Sequence, residues 1–371
     1  MKKQNLLAFI TISIFLSSSF LFIAPPARAA NGITLAFDYY HMQVGNQTIY
    51  RAYGLPGPSY EQVDRARLMG NLTKAGYTLD FLNQTTPITS SQLTNVNALF
   101  LGKMDDPPIN YTSSEVQAIA SWFKTGDKLL MMSGNAGYTP TDTENTVFAA
   151  SIPNGILNAI GSTLRLEAAG EITDQPGVGA SGAGFRVYAA ATNNGINNQG
   201  WAANLTTGTQ DVRFHGPTNV IGFQNGAYVP FSSLTANTVT WLYRTSTQGS
   251  YQGFGSGKPY VTPAATAGQW VLAGAEKIPE GSAYSKVVVA GAGFYGNYVI
   301  NADGEFSYKI VFQGLQFVLN AVKWGTTSES LPSSTNWTLI IAAVVVAVVV
   351  IAAAAFYVMR RKPKPMAAPT S

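Results

Sequence analysis

The stretch TSSEVQAIASWFKTGDKLLMMSG, residues 112–134, predicts a helix followed by a buried strand. Thr112 and Glu115 have the spacing of a capping box, in which each side chain accepts the backbone N–H of the other residue at a helix N-terminus. Gly126 is expected to end the helix, since glycine readily adopts the left-handed conformation found there. The run from Lys128 to Met132 is short and mostly apolar, which predicts a strand.

The same alternation of helix and strand continues upstream. Residues 33–37, 77–82 and 98–101 are predicted strands, and a helix over 59–75 and a helical turn over 90–94 lie between them. Strands that alternate with helices predict an α/β fold with a mainly parallel sheet covered by helices on both faces. Residues 270–273 and 287–290 are predicted to add strands, and a last helix is expected over 306–322.

The middle of the chain has a different composition. Residues 168–270 are rich in Gly, Asn, Thr and Ser and lack helical periodicity. We expect a β- and loop-rich insertion here, within one domain that spans residues 31–325.

The first thirty residues have the pattern of a secretory signal peptide. Lys2 and Lys3 precede an apolar run from Leu6 to Ala24, and Ala27 and Ala29 supply the small residues of a cleavage site. We therefore expect residues 1–30 to be removed and the domain to be exported.

The other end has the pattern of a membrane anchor. Residues 337–359 carry no charge, and 23 residues are enough for a helix to span a hydrocarbon layer of ~30 Å. The basic residues directly after Met359 predict that the tail, 360–371, lies in the cytoplasm. Residues 326–336 are polar and are expected to link the domain to this single transmembrane helix.

Composition limits the classes of function. The chain has no cysteine, which excludes disulfides, thiol nucleophiles and thiolate metal sites. Charged residues are only 11% of the 371, against roughly 25% in average proteins. Seven basic residues lie in the two ends, so the net charge of +4 falls to −3 between them. This negative balance provides no basic patch for nucleic-acid binding. The composition is typical of an archaeal cell-surface protein.

Asn-x-Ser/Thr sequons are frequent. In an exported chain they are candidate glycosylation sites, and glycans would solvate a surface that is poor in charge. The six sequons begin at Asn46, Asn71, Asn83, Asn110, Asn204 and Asn336.

Several segments together resemble the class I glutamine amidotransferase-like superfamily, and within it the GldG-like extracytoplasmic domains of transporter-auxiliary proteins. The block 112–134 is the most specific of them, and the resemblance covers residues 33–324. The other segments are LAFDYYHMQ (35–43), AGYTLDFL (75–82), ALFLGKMDDPP (98–108), RFHGPTNVIGF (213–223), VVVAGAGFYGN (287–297) and LNAVKW (319–324).

The chain departs from the superfamily at its catalytic position. Active amidotransferases place a nucleophilic Cys at a strand-to-helix elbow, where this chain has Ser133 and no Cys anywhere. Amidotransferase activity is therefore excluded, and the resemblance implies the fold rather than the chemistry. A Ser133–His215–Asp38 hydrolase is conceivable, although Ser133 lacks a complete G-x-S-x-G motif.

Binding is the other use of polar residues at this edge of the sheet. Carboxyl ends of parallel strands are where α/β folds bind ligands, and the resemblance would bring five candidates there: Asp38, His41, Asp105, Asn135 and His215. Asp38, His41 and His215, with Asp105 or Asp106, are also the residues that could converge on a metal, but each has an ordinary loop role, and we expect no metal.

The motif Gly291-x-Gly293-x-x-Gly296 has the spacing of a dinucleotide-binding turn. Its context is wrong, because residues 297–304 separate the glycines from the next helix and no later strand supplies an acidic residue. We expect no nucleotide cofactor.

These observations predict a non-catalytic, membrane-anchored cell-surface protein that acts in recognition or scaffolding, as an auxiliary subunit of a transport assembly. Its expected partners are the membrane and a transporter or surface-layer protein. An anchored receptor for sugars or peptides is the alternative, since Tyr and Trp stack on sugars and make good protein contacts. A degenerate Ser hydrolase is the third. Aromatic residues expected mostly in loops are Tyr39, Tyr40, Tyr50, Tyr53, Tyr138, Trp201, Trp241, Tyr243, Tyr251 and Tyr260.

Overall fold

The computed structural model describes ten stretches of the domain and part of the C-terminal segment. The stretches are residues 32–38, 40–41, 60–82, 86–102, 110–134, 143–174, 184–253, 258–263, 266–294 and 313–331, and beyond them 346, 348–353 and 356.

Fifteen strands and six α-helices occur in the described residues. In chain order they are β1 (Thr34–Asp38), α1 (Tyr60–Lys74), β2 (Thr78–Leu82), α2 (Ser90–Leu93), β3 (Ala98–Leu101), α3 (Ser113–Phe123), β4 (Leu129–Ser133), α4 (Thr143–Ala159), β5 (Leu164–Leu166), β6 (Gly170–Thr173), β7 (Arg186–Ala190), α5 (Ala203–Thr206), β8 (Asp211–His215), β9 (Val220–Gln224), β10 (Ala227–Val229), β11 (Val239–Arg244), β12 (Gly249–Gly253), β13 (Ala267–Gly268), β14 (Val271–Glu280), β15 (Ala283–Ala290) and α6 (Gly314–Thr326).

Seven strands form the central sheet, in the order β11-β14-β15-β4-β3-β1-β2. The five strands from β15 to β2 are mutually parallel, and β14 and β11 extend the sheet in antiparallel pairs. The parallel part follows the 2-1-3-4-5 order of flavodoxin-like folds. The predicted α/β class is confirmed, with a mixed and mostly parallel sheet.

The sheet buries both of its faces. Successive residues of a strand point to opposite faces, and accordingly Leu35 and Phe37 belong to one apolar core and Ala36 to the other. The first core includes residues of α1 and α6, and the second includes residues of α3 and α4. Helices therefore cover both faces, and the inner strands β3 and β4 are almost entirely apolar and buried for that reason.

The central third of the chain forms three smaller sheets. Their orders are β10-β9-β5, β13-β12-β6 and β7-β8. One strand of this region, β11, instead pairs with β14 and becomes the edge of the central sheet.

Three elements differ from the sequence-based expectation. Helix α4 was not expected, because Pro153 and Gly155 lie inside it and both are poor interior helix residues. Strands β14 and β15 are longer than predicted and form a hairpin whose turn contains Gly281 at φ 62°. Helix α6 begins at Gly314 rather than 306, since Gln313 leaves helical geometry and its side chain accepts the N–H groups of Gln210 and Asp211.

The compact unit that contains these sheets ends at Glu329. In the part of the chain described here, no helix has the length and apolar character needed to cross a membrane. Most of the predicted span 337–359 lies outside the described residues, as does the whole of 1–30, so both segments stay predictions.

Candidate functional site

The carboxyl edge of the parallel strands contains a topological switch point between β1 and β3. From β1 the chain goes to β2 on one side, and it then returns to β3 on the other. Connections that leave in opposite directions open a crevice between the two strands, where ligands bind in folds of this type. Asp38 is the last residue of β1, and Tyr111 lies between Leu101, the last residue of β3, and the start of α3.

Asp38 and His41 form a buried pair at this point. The Asp38 Oδ2 atom lies 2.7 Å from His41 Nδ1, and the side chains are essentially inaccessible. Asp38 Oδ1 accepts the backbone N–H groups of Tyr40, at 3.0 Å, and of His41, at 3.3 Å. One carboxylate therefore fixes both the turn after β1 and the imidazole on that turn.

Tyr111 completes one side of the pair. Its hydroxyl donates to Asp38 Oδ2 over 2.5 Å, and its ring stacks on the imidazole of His41 with centroids 3.7 Å apart. The imidazole edge also meets the ring of Tyr40, at 4.8 Å. Since both aromatic rings exclude water from the imidazole, its charge interactions are stronger than they would be on the surface.

Glu115 approaches the other side of the imidazole. Its Oε1 atom is 3.2 Å from His41 Nε2, but the two atoms are not aligned as a hydrogen bond. The same carboxylate accepts the N–H of Ile88 through Oε1 and the N–H and hydroxyl of Thr112 through Oε2. The predicted capping box of α3 is confirmed, and its glutamate also faces the histidine.

The arrangement can fix structure more readily than it can drive a reaction. An imidazole between two carboxylates has the partners of a catalytic histidine, but Asp38, His41 and Glu115 are each no more than 2% exposed. Tyr40 and Tyr111 both lie against the imidazole. In the described ranges, no group of three His, Asp or Glu residues is arranged to hold a metal ion.

Ser133 and His215 have other surroundings. Ser133, at the end of β4, is 1% exposed, and its Oγ accepts the N–H of Phe294 at 3.2 Å. His215 ends β8, lies opposite Arg186 across the hairpin, and meets the ring of Phe185 edge-on at 5.3 Å. The structure brings Asp38 together with His41, whereas Ser133 serves as an acceptor inside the domain. The Ser133–His215–Asp38 triad remains a prediction.

The other candidates fall into two groups. Asp105, Asp106, Asn135 and the sequon residues Asn46, Asn83 and Asn336 lie outside the described residues. Among the remaining sequons, Asn110 and Asn204 are exposed, while Asn71 is half-buried and donates to Arg67 O at 2.8 Å.

Two members of the cluster were not predicted as site residues. Glu115 was identified only as a helix cap, because the sequence pattern carries no sign of its contact with His41. Tyr111 immediately precedes Thr112, and nothing in its neighbours indicates the bond to Asp38. Both contacts depend on the approach of residues that are about seventy positions apart.

The glycine motif has a packing explanation. Gly291 follows β15, and a Cβ at this position would overlap the carbonyl oxygen of Thr218. Thr218 N donates to Gly291 O at 3.0 Å, and Gly291 N donates to Leu272 O at 2.9 Å. The absence of a side chain thus allows two segments to approach the strand end closely.

A second buried carboxylate lies in the central third of the chain. Glu167 accepts the backbone N–H groups of Tyr260, Val261 and Thr262 and the hydroxyl of Thr262. Tyr260 stacks on Tyr228 with centroids 3.9 Å apart, and burial raises the pKa of Tyr260 to about 12. These contacts attach residues 260–262 to the end of β5, and they leave the Glu167 carboxylate fully occupied.

Comparison with known proteins gives no family for this chain. No family model matches the sequence, and no curated protein does. Among the solved structures that match this chain are the following two, both with TM-scores below 0.5. The mmIFT52 N-terminal domain is 13% identical with a TM-score of 0.44, over 79% of this chain and 97% of its own. A ThuA-like protein from Bacteroides uniformis is 12% identical with a TM-score of 0.40, over 82% of this chain and 94% of its own.

Proposed function

We propose that this chain is a non-catalytic, membrane-anchored cell-surface protein whose α/β domain acts in recognition or scaffolding. Its place is that of an auxiliary extracytoplasmic subunit in a transport assembly, as the resemblance to GldG-like domains implies. The two ends of the sequence support export and anchoring, and the lack of cysteine removes the nucleophile of the amidotransferases.

The burial of the described polar side chains at the carboxyl edge is the observation that supports the proposal best. Asp38, His41, Glu115 and Ser133 are all buried, and each is in contact with another protein group. A nucleophile must reach its substrate and be activated by an adjacent base. In the described residues, Ser133 accepts a backbone N–H and the base-like His41 is covered by aromatic rings. These contacts favour a rigid edge that binds a partner through its surface.

The described part of the C-terminal segment supports an apolar environment. Residues 346 and 348–353 are helical, and Val346, Val348, Val349, Val350 and Ile351 expose 59–68% of their surface. Large aliphatic side chains exposed together along a helix are unfavourable in water and favourable in lipid.

The two alternatives receive less support. A sugar receptor needs aromatic faces that are available to ligand, but Tyr243 and Tyr251 are buried completely. Trp201 stacks on Trp324 at 5.4 Å, and Tyr260 stacks on Tyr228. A Ser hydrolase needs Ser133 next to a histidine, whereas its Oγ accepts the backbone N–H of Phe294.

The test is capture of the native complex. Membranes carrying the tagged full chain are extracted in a mild detergent, and the captured material is quantified by mass spectrometry. The control carries the same tag on an unrelated domain fused to residues 330–371, so that it has the same anchor. Proteins that are captured with both samples bind only the anchor and are discounted. A stoichiometric transporter or surface-layer protein is expected in the first sample alone. Recovery of the full chain without a partner would overturn the scaffold proposal.

Enzyme activity is tested separately. Ser133→Ala and His215→Ala are compared with the wild-type chain against esterase and amidase substrates, with circular dichroism to establish that the variants fold. We expect no activity in any of the three. A wild-type activity that Ser133→Ala abolishes would establish the hydrolase instead.

A further inference from the structure

Most of the lysines in the described stretches of the domain lie at one edge of the central sheet. Seven of them lie in the described stretches between residues 32 and 331, and six of the seven lie at the amino edge, opposite the Asp38 cluster. The six are Lys74, Lys124, Lys128, Lys277, Lys286 and Lys323, and Lys258 is the seventh.

The topology explains this placement. Lys74 is the last residue of α1, and Lys124 directly follows α3. These two helices return the chain to the starts of β2 and β4. Lys128 directly precedes β4, and Lys277 pairs with Lys286 across the hairpin next to Leu129, the first residue of β4. Lys323 lies in the last turn of α6. The carbonyl groups at the end of this helix accept hydrogen bonds from the Lys286 ammonium, so the end of α6 lies at the same edge.

Charge at this edge is predominantly positive. Lys74, Lys124 and Lys323 are exposed, and Lys128 and Lys277 are half-buried. Among the described residues, three carboxylates share the edge, those of Asp127, Glu280 and Glu329, which leaves a net charge of +3 for these nine groups. The stretch 31–359 carries a net charge of −3 in total. The fold therefore brings positive charges together that are far apart in a sequence of negative net charge.

The chain also leaves the domain at this edge. Ser328 donates to Asp127, Tyr284 N donates to Glu329 O at 3.0 Å, and Lys277 Nζ lies 2.6 Å from Glu329 Oε1. Lys286 donates to Thr327 O at 2.6 Å. Residues 327–329 are thus attached to the sheet, and the polar linker starts directly after them.

We propose that the amino edge of the sheet binds anionic lipid headgroups of the membrane that anchors the chain. This inference rests on the anchor in the proposed function. Seven residues, 330–336, connect Glu329 to the predicted span, so the linker reaches at most ~25 Å. The tether therefore keeps the lysines near the lipid surface, and each of the three exposed ones, Lys74, Lys124 and Lys323, strengthens contact with an anionic surface roughly fivefold.

Binding in this orientation has a consequence for the candidate site. The strands of the sheet run from the amino edge to the carboxyl edge, a distance of ~17 Å for five residues. Contact between the lysines and the headgroups directs the Asp38 edge away from the lipid, where a partner protein can reach it.

The test uses the lack of cysteine to label single positions in the full chain. Ser282→Cys, in the exposed hairpin turn, reports on the amino edge, and Ser113→Cys, at the exposed start of α3, reports on the carboxyl edge. Each labelled chain is reconstituted in nanodiscs of phosphatidylcholine alone or with phosphatidylglycerol. Accessibility of the spin label to a water-soluble paramagnetic chelate is then measured at low and high salt.

We expect the label at 282 to lose at least about half of its accessibility in anionic discs at low salt, while the label at 113 is unchanged. The loss should disappear at high salt, because surface charge interactions are screened beyond about 10 Å or less. It should also disappear in Lys74→Gln/Lys124→Gln/Lys323→Gln, and it should persist in the control Lys258→Gln.

Equal accessibility at 282 in the two kinds of disc would overturn the inference. Incorporation of the chain into discs is scored independently by flotation. A chain that does not float refutes the anchor and hence the proposed function, whereas a chain that floats without protection at 282 refutes only the contact between the amino edge and the headgroups.

Discussion

Lys286→Met should remove a pH-dependent contribution to stability that the structure allows us to estimate. Lys286 is 1% exposed, and its ammonium donates to the carbonyl groups of Trp324, at 3.0 Å, and Thr327, at 2.6 Å. Burial lowers its pKa to about 8 from the ordinary 10.5, and the more distant Glu329 carboxylate opposes that change only in part. Methionine retains much of the apolar stem and cannot be charged.

The magnitude follows from the two pKa values. A tenfold difference in proton affinity corresponds to about 1.4 kcal/mol, so the charged form costs the folded state about 3 kcal/mol relative to the neutral form. Below pH 8 this cost is fully present. Between the folded and unfolded pKa values the unfolded chain binds more protons, so the free energy of unfolding rises with pH. The Met variant lacks this rise.

The assay is denaturant-induced unfolding of the full chain in detergent, followed by tryptophan fluorescence from about pH 7 to about pH 10.5. Ionisation of tyrosines affects both proteins and cancels in the difference. We expect the wild-type free energy of unfolding to rise by about 3 kcal/mol relative to that of the variant across this pH range. Lys74→Met, at an exposed position, should run parallel to wild type. Parallel curves for Lys286→Met would refute the assignment of a depressed pKa to a desolvated ammonium.

Three further predictions concern the buried polar groups and the glycines. Asp38→Asn should lower the free energy of unfolding by about 3 kcal/mol, because it removes the carboxylate closest to His41 while the imidazole stays buried beside Glu115. Thermal unfolding in detergent measures this loss of stability. Gly291→Ala should cost roughly 3 kcal/mol in the same assay, because its Cβ meets the backbone of Thr218, which cannot move aside as a side chain can. Burial raises the pKa of Glu276 above 4.5 despite hydrogen bonds from Ser162 and Thr163, so wild-type stability should fall, relative to Glu276→Gln, as pH rises from 4.5 through the folded pKa.

The first two have a matched control, and each of the three has an outcome that would contradict it. Asp80→Asn, on the exposed edge strand, should change stability by less than ~0.5 kcal/mol, and an equally small change at Asp38 would contradict a stabilising hydrogen bond between the buried Asp38 and His41. Gly155→Ala has open space and a helical position, so it should stabilise by up to ~1 kcal/mol. Tolerance of alanine at 291 would contradict the close approach of Thr218. A Glu276→Gln curve parallel to wild type would contradict the raised pKa.

The parallel half of the sheet was predictable because its signals are local. Strands β1, β3 and β4 are mostly apolar runs and β2 alternates, and the predicted bounds of all four agree with the structure to within one residue. The N-cap Thr112 depends only on neighbouring residues, and so does the left-handed Gly126, although α3 already ends at Phe123 with Lys124 as its C-cap. Register and order were then limited by the general rule for alternating strands and helices.

The remainder depends on contacts that sequence patterns do not encode. Helix α4 forms although Pro153 interrupts its helical sequence pattern, because residues of its second half pack in the same apolar core as α3. Strand β11 leaves its neighbours in sequence to pair with β14, beyond β12 and β13. The middle sheets are held by hydrogen bonds between distant segments, such as those from Thr262 to Glu167.

The candidate site was predictable only in part. Asp38 at a strand end and His41 three residues later are visible in the sequence, and the structure joins them. Glu115 was visible only as a cap, and Tyr111 was not visible at all. The separation of lysines at the amino edge could not be inferred either, since these residues are scattered over 250 positions from Lys74 to Lys323.

The buried carboxylates perform a task that small exported domains usually give to sulfur. Glu115 joins α3 to Ile88, 27 residues away, Glu167 joins β5 to Thr262 across 95, and Glu276 joins β14 to Thr163 across 113. These are non-covalent cross-links between distant segments, and none of them needs an oxidant or an isomerase to form. A domain held in this way folds alike in a reducing cytosol and in an oxidising exterior, so recombinant production does not depend on the compartment chosen.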